Sequence, residues 1–378
     1  NFGQKPFKYA PPTGFQPLNA ANVKPVKVIT RPDQYVGVKL YAGNDGTQSI
    51  SGLGFSPDLV WIKNRTTASQ HVLTDTVRGS DRQLFSSLTN SEQTSSTGIT
   101  AFTSDGFSLG VNVNPTGSTN SSPDSYVAWC WKAGGNKNTF NVDDVGYASA
   151  AAAGLDGGTL TPTGCSVGTK QGFSIISWTG NETAGATIPH GLGKTPGFAI
   201  FKSRETALDW GTYHQSLGAT ERVLLNSAAT AAADSNAFNN TEPTSSIITL
   251  GASDAYNDDK KMIAYVWCDV PGLQKFGSYV GNGDPDGTFV ELGFRPTLLW
   301  VKRVTPTGSE GWPIYDSLRG PINPNPKGIY ANSNIAENDS SGRYKDFLSN
   351  GFKIRGSSGE QNTSGITYIY CAWAEAPT

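Results

Sequence analysis

Charge, methionine and helical periodicity are all scarce in this chain. Only 16% of its 378 residues are charged and the formal net charge is -2, so the chain lacks the basic field that nucleic-acid binding requires. No apolar run approaches the roughly 18 residues of a membrane span, and the first residues carry no signal-peptide pattern. Glycine, with 44 residues, is abundant, as are serine, threonine, asparagine and the aromatic residues. This composition favours short strands joined by turns and predicts an all-β protein.

Motifs for catalysis are missing as well. The three histidines, His71, His190 and His214, stand in different sequence contexts, and there is no serine elbow, zinc-binding helix motif or phosphate-binding loop. The sequence therefore predicts a protein that is not an enzyme and binds no cofactor. A polysaccharide-degrading enzyme is the weaker alternative, because a Ser/His/Asp triad leaves no fixed signature in sequence order.

The four cysteines, Cys130, Cys165, Cys268 and Cys371, form no CxxC or Cys/His pattern. Three of them stand close to tryptophans in apolar segments, which predicts buried free thiols rather than disulfides or metal ligands. Free thiols indicate assembly in a reducing cytoplasm. Because the chain begins with Asn1 rather than Met, we also expect a processed product or part of a longer protein.

Three stretches of the chain repeat one series of motifs. Each starts with a strand that ends in Gly-Asn, passes through a glycine turn and an apolar strand with a basic end, and closes on an aromatic strand. The Gly-Asn pairs are Gly43-Asn44, Gly180-Asn181 and Gly281-Asn282, and the closing tryptophans are Trp131, Trp267 and Trp373. The interval from the glycine to the tryptophan is nearly equal in the three copies. A repeat of about 100 residues has the size of a whole domain rather than of a solenoid unit.

The repeat predicts three tandem antiparallel β-sandwich modules of jelly-roll or concanavalin-like type. Their boundaries are residues 36–133 for module one, 170–270 for module two and 273–376 for module three. Only a few residues join modules two and three, so we expect a fixed angle between them. Residues 134–169, rich in glycine, alanine and threonine, are either a flexible linker or an arm that lies on neighbouring modules.

Residues 1–35 are predicted to form an extended, proline-rich leader, because prolines block helices and most sheet pairing. Its aromatic residues Phe2, Phe7 and Phe15 are groups that a solvated tail would not favour. We therefore expect the leader to lie against another module or a neighbouring subunit, with these three rings at least half buried.

Module three carries the most specific motifs. They are Lys275-Phe276-Gly277-Ser278-Tyr279, Gly293-Phe294-Arg295-Pro296, Asn350-Gly351-Phe352 and Tyr368-Ile369-Tyr370. These motifs resemble a repeat domain of unknown function that is common in tail fibre and other structural proteins of marine and environmental bacteriophages. Module two departs most, because it lacks the Asp-Gly-Phe segment and has Phe201 where the others have Trp61 and Trp300.

The leader, which begins Asn1-Phe2-Gly3-Gln4-Lys5-Pro6-Phe7, resembles the last strand and tail of a SPRY-like β-sandwich in such proteins. Together the two resemblances imply a protein of the virion that is assembled in the host cytoplasm and has no enzymatic role.

Two tryptophans are candidate contacts for a glycan or a protein interface. Trp210 and Trp312 stand in loop-like segments that differ between the modules, and an exposed tryptophan provides a large contact area. The acidic loop with Asp254, Asp258 and Asp259 is a further candidate for glycan contact.

The loop Asp284-Pro285-Asp286-Gly287 offers two carboxylates to Ca²⁺, although a simple turn is the favoured interpretation. We therefore predict no metal site, with Asp284 and Asp286 as weak candidates.

A basic residue ends the apolar strand of every copy, at Lys63, Lys202 and Lys302. One interpretation makes these lysines contacts for an anion or an acidic sugar. The favoured one is a charge at the solvated end of a strand, with its stem packed on tryptophan.

The sequence as a whole predicts a non-enzymatic structural protein of a bacteriophage, a tail fibre or similar appendage, with recognition of host-surface glycan as an added role. The expected partners are other copies of the chain, other virion proteins and host polysaccharide, with no nucleic acid and no membrane. A capsid decoration or head fibre protein is the alternative.

Overall fold

The computed structural model describes residues 28–111, 116–305, 308–339 and 341–376. The expectations for Phe2, Phe7, Phe15 and most of the leader therefore lie outside the described residues. Within the described part the fold is all-β, built of antiparallel sheets with two one-turn helices. None of the helices described is long and apolar enough to cross a membrane.

Module one consists of a large sheet, a small sheet and a two-stranded pair. Its strands are β1 (Val36–Ala42), β2 (Gln48–Ile50), β3 (Leu59–Asn64), β4 (Val72–Asp75), β5 (Arg82–Gln83), β6 (Gln93–Thr94), β7 (Ile99–Thr103), β8 (Gly106–Leu109) and β9 (Ser125–Trp131). The large sheet has the order β1-β9-β3-β4, the small sheet has the order β2-β8-β7, and the two-stranded pair is β5-β6.

Module two and the segment before it form one continuous large sheet. The elements are β10 (Phe140–Val142), β11 (Val145–Tyr147), β12 (Pro162–Gly168), β13 (Phe173–Thr179), β14 (Ala186–Pro189), β15 (Phe198–Ser203), β16 (Gly211–His214), β17 (Glu221–Leu224), β18 (Ala232–Ala233), α1 (Ser235–Phe238), β19 (Ile247–Leu250), α2 (Asp254–Asn257) and β20 (Lys261–Trp267). The large sheet runs β11-β10-β12-β13-β20-β15-β16-β17-β18, and β14 pairs with β19 in the small sheet.

Module three repeats the plan of module one. Its strands are β21 (Gln274–Val280), β22 (Phe289–Glu291), β23 (Pro296–Arg303), β24 (Pro313–Asp316), β25 (Lys327–Tyr330), β26 (Asn338–Asp339), β27 (Lys345–Leu348), β28 (Gly351–Ile354) and β29 (Thr367–Ala374). The large sheet has the order β21-β29-β23-β24-β25-β26 and the small sheet β22-β28-β27. Two short 3-10 turns, Pro32–Gln34 and Ser341–Arg343, complete the described elements.

The closing strand lies in the middle of each large sheet, between the opening strand and the apolar strand. The three closing tryptophans have equivalent neighbours on both sides, which are Val36 and Leu59 for Trp131, Phe173 and Phe198 for Trp267, and Gln274 and Leu298 for Trp373. This register confirms the expectation that the three tryptophans occupy matching core sites of one repeated topology.

The Asp-Gly-Phe and Asn-Gly-Phe motifs form the hairpins of the small sheets in modules one and three. A Cβ atom on Gly106 would lie 1.9 Å from the carbonyl oxygen of Ile50, and one on Gly351 would lie 2.0 Å from that of Val290. Only glycine allows this close approach of two strands. Module two lacks the motif, and α1 occupies the corresponding stretch of chain.

Residues 134–169 form an arm rather than a flexible linker. Strand β12 pairs antiparallel with β13 from Gly168 opposite Phe173 to Pro162 opposite Trp178, and β10 pairs parallel with β12. The arm therefore extends the large sheet of module two. Its glycine-, alanine- and threonine-rich sequence has little alternation of apolar and polar residues, so composition alone indicates a loop.

The large sheets of modules one and three each contribute to two different cores. Along β3, Val60 and Ile62 pack toward the small sheet of module one, whereas Leu59 and Trp61 point away from it. The second set joins one apolar cluster that contains residues of all three modules. Because both faces are buried, the apolar strands of the large sheets show no clean alternation.

Candidate functional site

The three closing tryptophans meet at the centre of the protein. The ring centroids of Trp131, Trp267 and Trp373 are 5.5 to 6.0 Å apart, and each pair packs edge to face. One equivalent residue from each module thus contacts the other two, which requires the modules to surround a common pseudo-threefold axis. We call this cluster the tryptophan centre.

Hydrogen bonds from each module to the next close the ring. The donor is in every case the residue just before β4, β16 or β24, and the acceptor is a backbone carbonyl oxygen of a neighbouring module. The three bonds are His71 Nε2 to Tyr330 O at 2.8 Å, Trp210 Nε1 to Phe85 O at 3.0 Å and Trp312 Nε1 to Leu224 O at 3.0 Å. Module one thus donates a hydrogen bond to module three, module three donates one to module two, and module two donates one to module one. This is the head-to-tail arrangement of a closed ring.

Ion pairs repeat at two of the three contacts between modules. Arg204 holds Glu92 with two hydrogen bonds of 2.9 Å, and Arg65 holds Glu337 with bonds of 2.9 and 3.0 Å. A backbone bond, from the N–H of each glutamate to the carbonyl of its arginine, accompanies each pair. At the third contact the backbone bond, from Ala231 N to the carbonyl of Val304, remains without charged side chains.

Buried carboxylates also link the modules. Asp75 accepts hydrogen bonds from Arg78 of its own module and from the hydroxyl of Tyr265 in module two at 2.7 Å. Asp316 in module three likewise accepts from its own Arg319 and from Trp129 Nε1 in module one at 3.0 Å. At the third contact His214 replaces the aspartate, and its Nε2 lies 3.1 Å from Tyr370 O.

The three lysines at the strand ends are all buried, and two of them lie in these contacts, which corrects both interpretations made from the sequence. Lys202 donates to Thr89 O of module one at 3.0 Å, and Lys302 donates to Ala228 O of module two at 2.8 Å. Burial lowers the pKa of Lys63 and Lys302 to about 7 and that of Lys202 to about 8. Lys202 and Lys302 bind the modules together, whereas Lys63 donates to Asn64 O of its own module. None of the three faces solvent or an external sugar.

Trp210 and Trp312 are fully buried, with 0% and 1% of their surface exposed. The structure therefore corrects the expectation of exposed side chains that stack on a glycan. The interface to which they belong is internal, between modules of the same chain. A loop-like sequence context did not reveal this, because the module that buries each tryptophan is distant in the chain.

The acidic loop of module two is divided between the surface and the interior. Asp254 is exposed, whereas Asp258 is buried and accepts a hydrogen bond of 2.6 Å from the hydroxyl of Ser203. Carboxylate oxygens of Asp258, Asp259 and Glu182 lie within 4.8 Å of one another, and Asp259 is paired with Lys260 at 2.6 Å. Of the expected contacts, Asp254 and Asp259 are the ones that the structure places on the surface.

The loop around Asp284 and Asp286 is a turn held by ion pairs. Asp284 accepts a hydrogen bond from Asp286 N at 2.8 Å, and Asp286 pairs with Lys353 at 2.8 Å and with Arg355 at 2.5 Å. These two cations hold the pKa of Asp286 below its ordinary value, with Lys353 as the main cause. Because the carboxylate of Asp286 is already paired with two cationic side chains, the structure favours a simple turn over a Ca²⁺-binding loop.

The repeated motifs of the sequence include the Gly-Asn pairs but not the partners of these pairs. A buried asparagine just before the closing strand is hydrogen-bonded to each pair, and these residues are Asn120, Asn257 and Asn362. In module three, Asn362 accepts from Asn282 N and donates to Asn282 Oδ1, Asp284 O and Gly356 O. We call each pair an asparagine latch. The signal that could have found it is the nearly constant interval between this asparagine and the closing strand.

The glycine of each pair allows the latch to close. A Cβ atom there would lie 2.1 Å from the carbonyl oxygen of Ser121 for Gly43, 2.1 Å from that of Asp258 for Gly180, and 2.4 Å from that of Thr363 for Gly281. The Gly-Asn signature is thus explained by a close backbone approach followed by a buried amide pair.

The fold and its contacts define an all-β protein in which three homologous sandwiches form one closed ring around a shared core. The chain belongs to the family described as Domain of unknown function (DUF7483), whose profile matches residues 31–377. The matched range spans all three modules. No curated protein and no solved structure matches the chain.

Proposed function

We propose that the protein is a non-enzymatic structural component of a bacteriophage particle, a tail fibre or similar appendage. The observation that carries the proposal is the shared core: three similar modules in one chain are joined at the tryptophan centre and by ion pairs between modules. Such a ring resists relative movement of its parts, which suits a mechanical role. The resemblance of module three to repeats of phage fibre proteins supports the same assignment.

The ring also indicates the kind of partner that it fits. Three similar modules around one axis present three similar surfaces, and a partner with threefold symmetry would meet each surface in the same way. Other virion proteins and further copies of the chain are the proposed partners, and the particle is assembled in the host cytoplasm, where the four buried thiols stay reduced.

Immunolabelling of purified particles tests the location. Antibodies raised against the whole chain are applied to particles, which are then imaged by electron microscopy. Label on the tail supports the proposal, and label on the head surface supports the alternative of a capsid decoration or head fibre protein. Mass spectrometry that finds the chain in infected cells but never in purified particles would contradict both.

Host glycan recognition is the second proposed role, and module two is the place for it. A depression of about 430 Å³ lies beside α1 and α2, the helices that distinguish this module, and is lined by Asp209, Arg222, Asp234, Asn236 and Asp254. Carboxylates and a guanidinium can form hydrogen bonds with sugar hydroxyls. Binding of the protein to host polysaccharide should be weakened by Asp254→Ala and unaffected by Asp284→Ala in module three.

A further inference from the structure

Module three contains a fully buried lysine that the ring does not use. Lys345 begins β27 on the inside of the sandwich, and its Nζ contacts the side-chain oxygen Oε1 of Gln361. The amine also lies 3.4 Å from the centroid of the Tyr315 ring. An ammonium group has three donors, and the described residues offer this one a single hydrogen-bond acceptor.

The fold does not require this lysine. In the hairpins of modules one and three, Lys345 opposite Ile354 corresponds to Ile99 opposite Leu109. Gln361 precedes the latch asparagine of module three, and Thr119 precedes that of module one. The backbone carbonyl of Gln361 accepts a hydrogen bond from the hydroxyl of Tyr279 in β21, and that of Thr119 accepts one from the hydroxyl of Tyr41 in β1. Module one therefore closes the same site without a lysine or a glutamine.

An acidic residue adjoins the pair. Glu360 precedes Gln361, interacts electrostatically with Lys345, accepts hydrogen bonds of 2.7 and 2.8 Å from the hydroxyl of Tyr330, and pairs with Arg343 at 3.2 Å. Burial raises the pKa of Glu360 and lowers that of Lys345 well below its usual value. A buried amine and the carbon of a buried carboxamide therefore lie side by side, with a partly buried carboxyl group next to them, as a desolvated lysine nucleophile needs.

We propose that Lys345 and Gln361 form an intramolecular isopeptide bond. The lone pair of Nζ attacks Cδ of Gln361 and forms the new C–N bond. Glu360 takes a proton from Nζ and returns one to Nε2, which leaves as ammonia when the Cδ–Nε2 bond breaks. Nothing is oxidised or reduced. The product links the small sheet of module three covalently to the loop before β29. Formation of this bond does not depend on the proposed location of the protein in the virion.

The mass of the purified full-length protein tests the proposal. We expect the wild-type chain to be lighter than its sequence mass by one ammonia, and its tryptic digest to contain one branched peptide that joins the segments of Lys345 and Gln361. Lys345→Met and Gln361→Met should each restore the sequence mass, whereas Lys302→Met, which removes a buried lysine of the ring, should keep the deficit. Glu360→Gln should slow the appearance of the branched peptide after refolding.

The peptide map of the wild-type protein shows whether the isopeptide bond is present even if a variant fails to fold. Folded protein with the full sequence mass and with separate peptides for the two segments would overturn the proposal. A deficit of one ammonia that maps to another asparagine or glutamine would do the same.

Discussion

The nine tryptophans are all buried, but only some of their indole N–H groups donate a hydrogen bond within the described residues. Those of Trp131, Trp178, Trp267, Trp300 and Trp373 have no hydrogen-bond partner among the described residues, and several of these rings pack edge to face with other aromatics. Those of Trp61, Trp129, Trp210 and Trp312 donate to His71, to an aspartate or to a backbone carbonyl of another module. The first group contributes apolar packing. In the second group Trp129, Trp210 and Trp312 also fix how the modules are arranged, because their bonds cross between modules.

Replacing Trp312 by phenylalanine should separate these two contributions. The change removes the bond from Trp312 Nε1 to the carbonyl of Leu224, which keeps its bond from Ser227 N at 3.3 Å. Loss of one such hydrogen bond costs about 0.5–1.5 kcal/mol. The matched control is Trp178→Phe, which removes an N–H that has no partner among the described residues. Urea unfolding should show that Trp312→Phe lowers the free energy of unfolding by more than the control does. Equal losses would mean that the hydrogen bond between the modules contributes nothing.

At the scale of elements, the asparagine latch fixes the loop before each closing strand to the end of each opening strand. The large sheets need this connection because the closing strand is central, with partners on both sides. The same amide pattern occurs in all three modules, although module two has replaced the neighbouring hairpin by α1. The latch is thus retained where other parts of the module have diverged.

Substitution of Asn362 by alanine should be strongly destabilising. It removes the acceptor of Asn282 N and the donor of three bonds, one of them buried and two partly buried, and we expect a loss on the order of 3 kcal/mol. Asn282→Ala is the control, because its side chain is exposed and the loop keeps its bonds from Asn362 to Asp284 O and Gly356 O. Thermal denaturation should give the lower midpoint for Asn362→Ala. A similar midpoint for both variants would contradict the role given to the buried amide.

At the scale of the whole molecule, the modules are not independent domains. The apolar face that each large sheet turns away from its own small sheet is covered by the other two modules. A separate module would expose this face, which includes Trp300 and Trp373 in module three. Folding of any one module is therefore tied to the presence of the others.

Unfolding of the full chain should consequently be a single cooperative transition. The shared core and the ion pairs between modules are lost together when any module unfolds, so calorimetry should record one peak. As a control, residues 273–376 expressed alone should be insoluble or should bind a dye for exposed apolar surface. Three resolved transitions, or a stable and soluble third module, would show that the modules fold independently.

Acid should destabilise the ring through its histidines. Burial lowers the pKa of His190 and His214 to about 4 and that of His71 well below its usual value. Between about pH 6.5 and 4 these histidines are protonated in the unfolded chain but stay neutral in the folded chain. The free energy of unfolding therefore falls as the pH falls through this window, by about 1.4 kcal/mol per pH unit for each histidine. Denaturation at pH 6.5 and pH 5 measures the slope.

The control for the acid effect is His214→Gln, which can keep the bonds to Tyr370 O and from Ser216 N without titrating. This variant should lose less stability than the wild type over the same interval. A slope that is unchanged in the variant would assign the acid sensitivity to other groups.

The class of the fold, the number of modules and the positions of their closing tryptophans can all be predicted from the amino-acid sequence. These features follow from local chemistry: strand-forming composition, glycines where backbones approach, and apolar segments long enough to be strands. The sequence also indicated correctly that the four cysteines are buried free thiols. The roles of Trp210, Trp312 and the three strand-end lysines were decided by tertiary structure alone. These side chains are buried by a neighbouring module. The contact between two modules depends on how the three large sheets are arranged around the axis, and no short stretch of sequence contains that information.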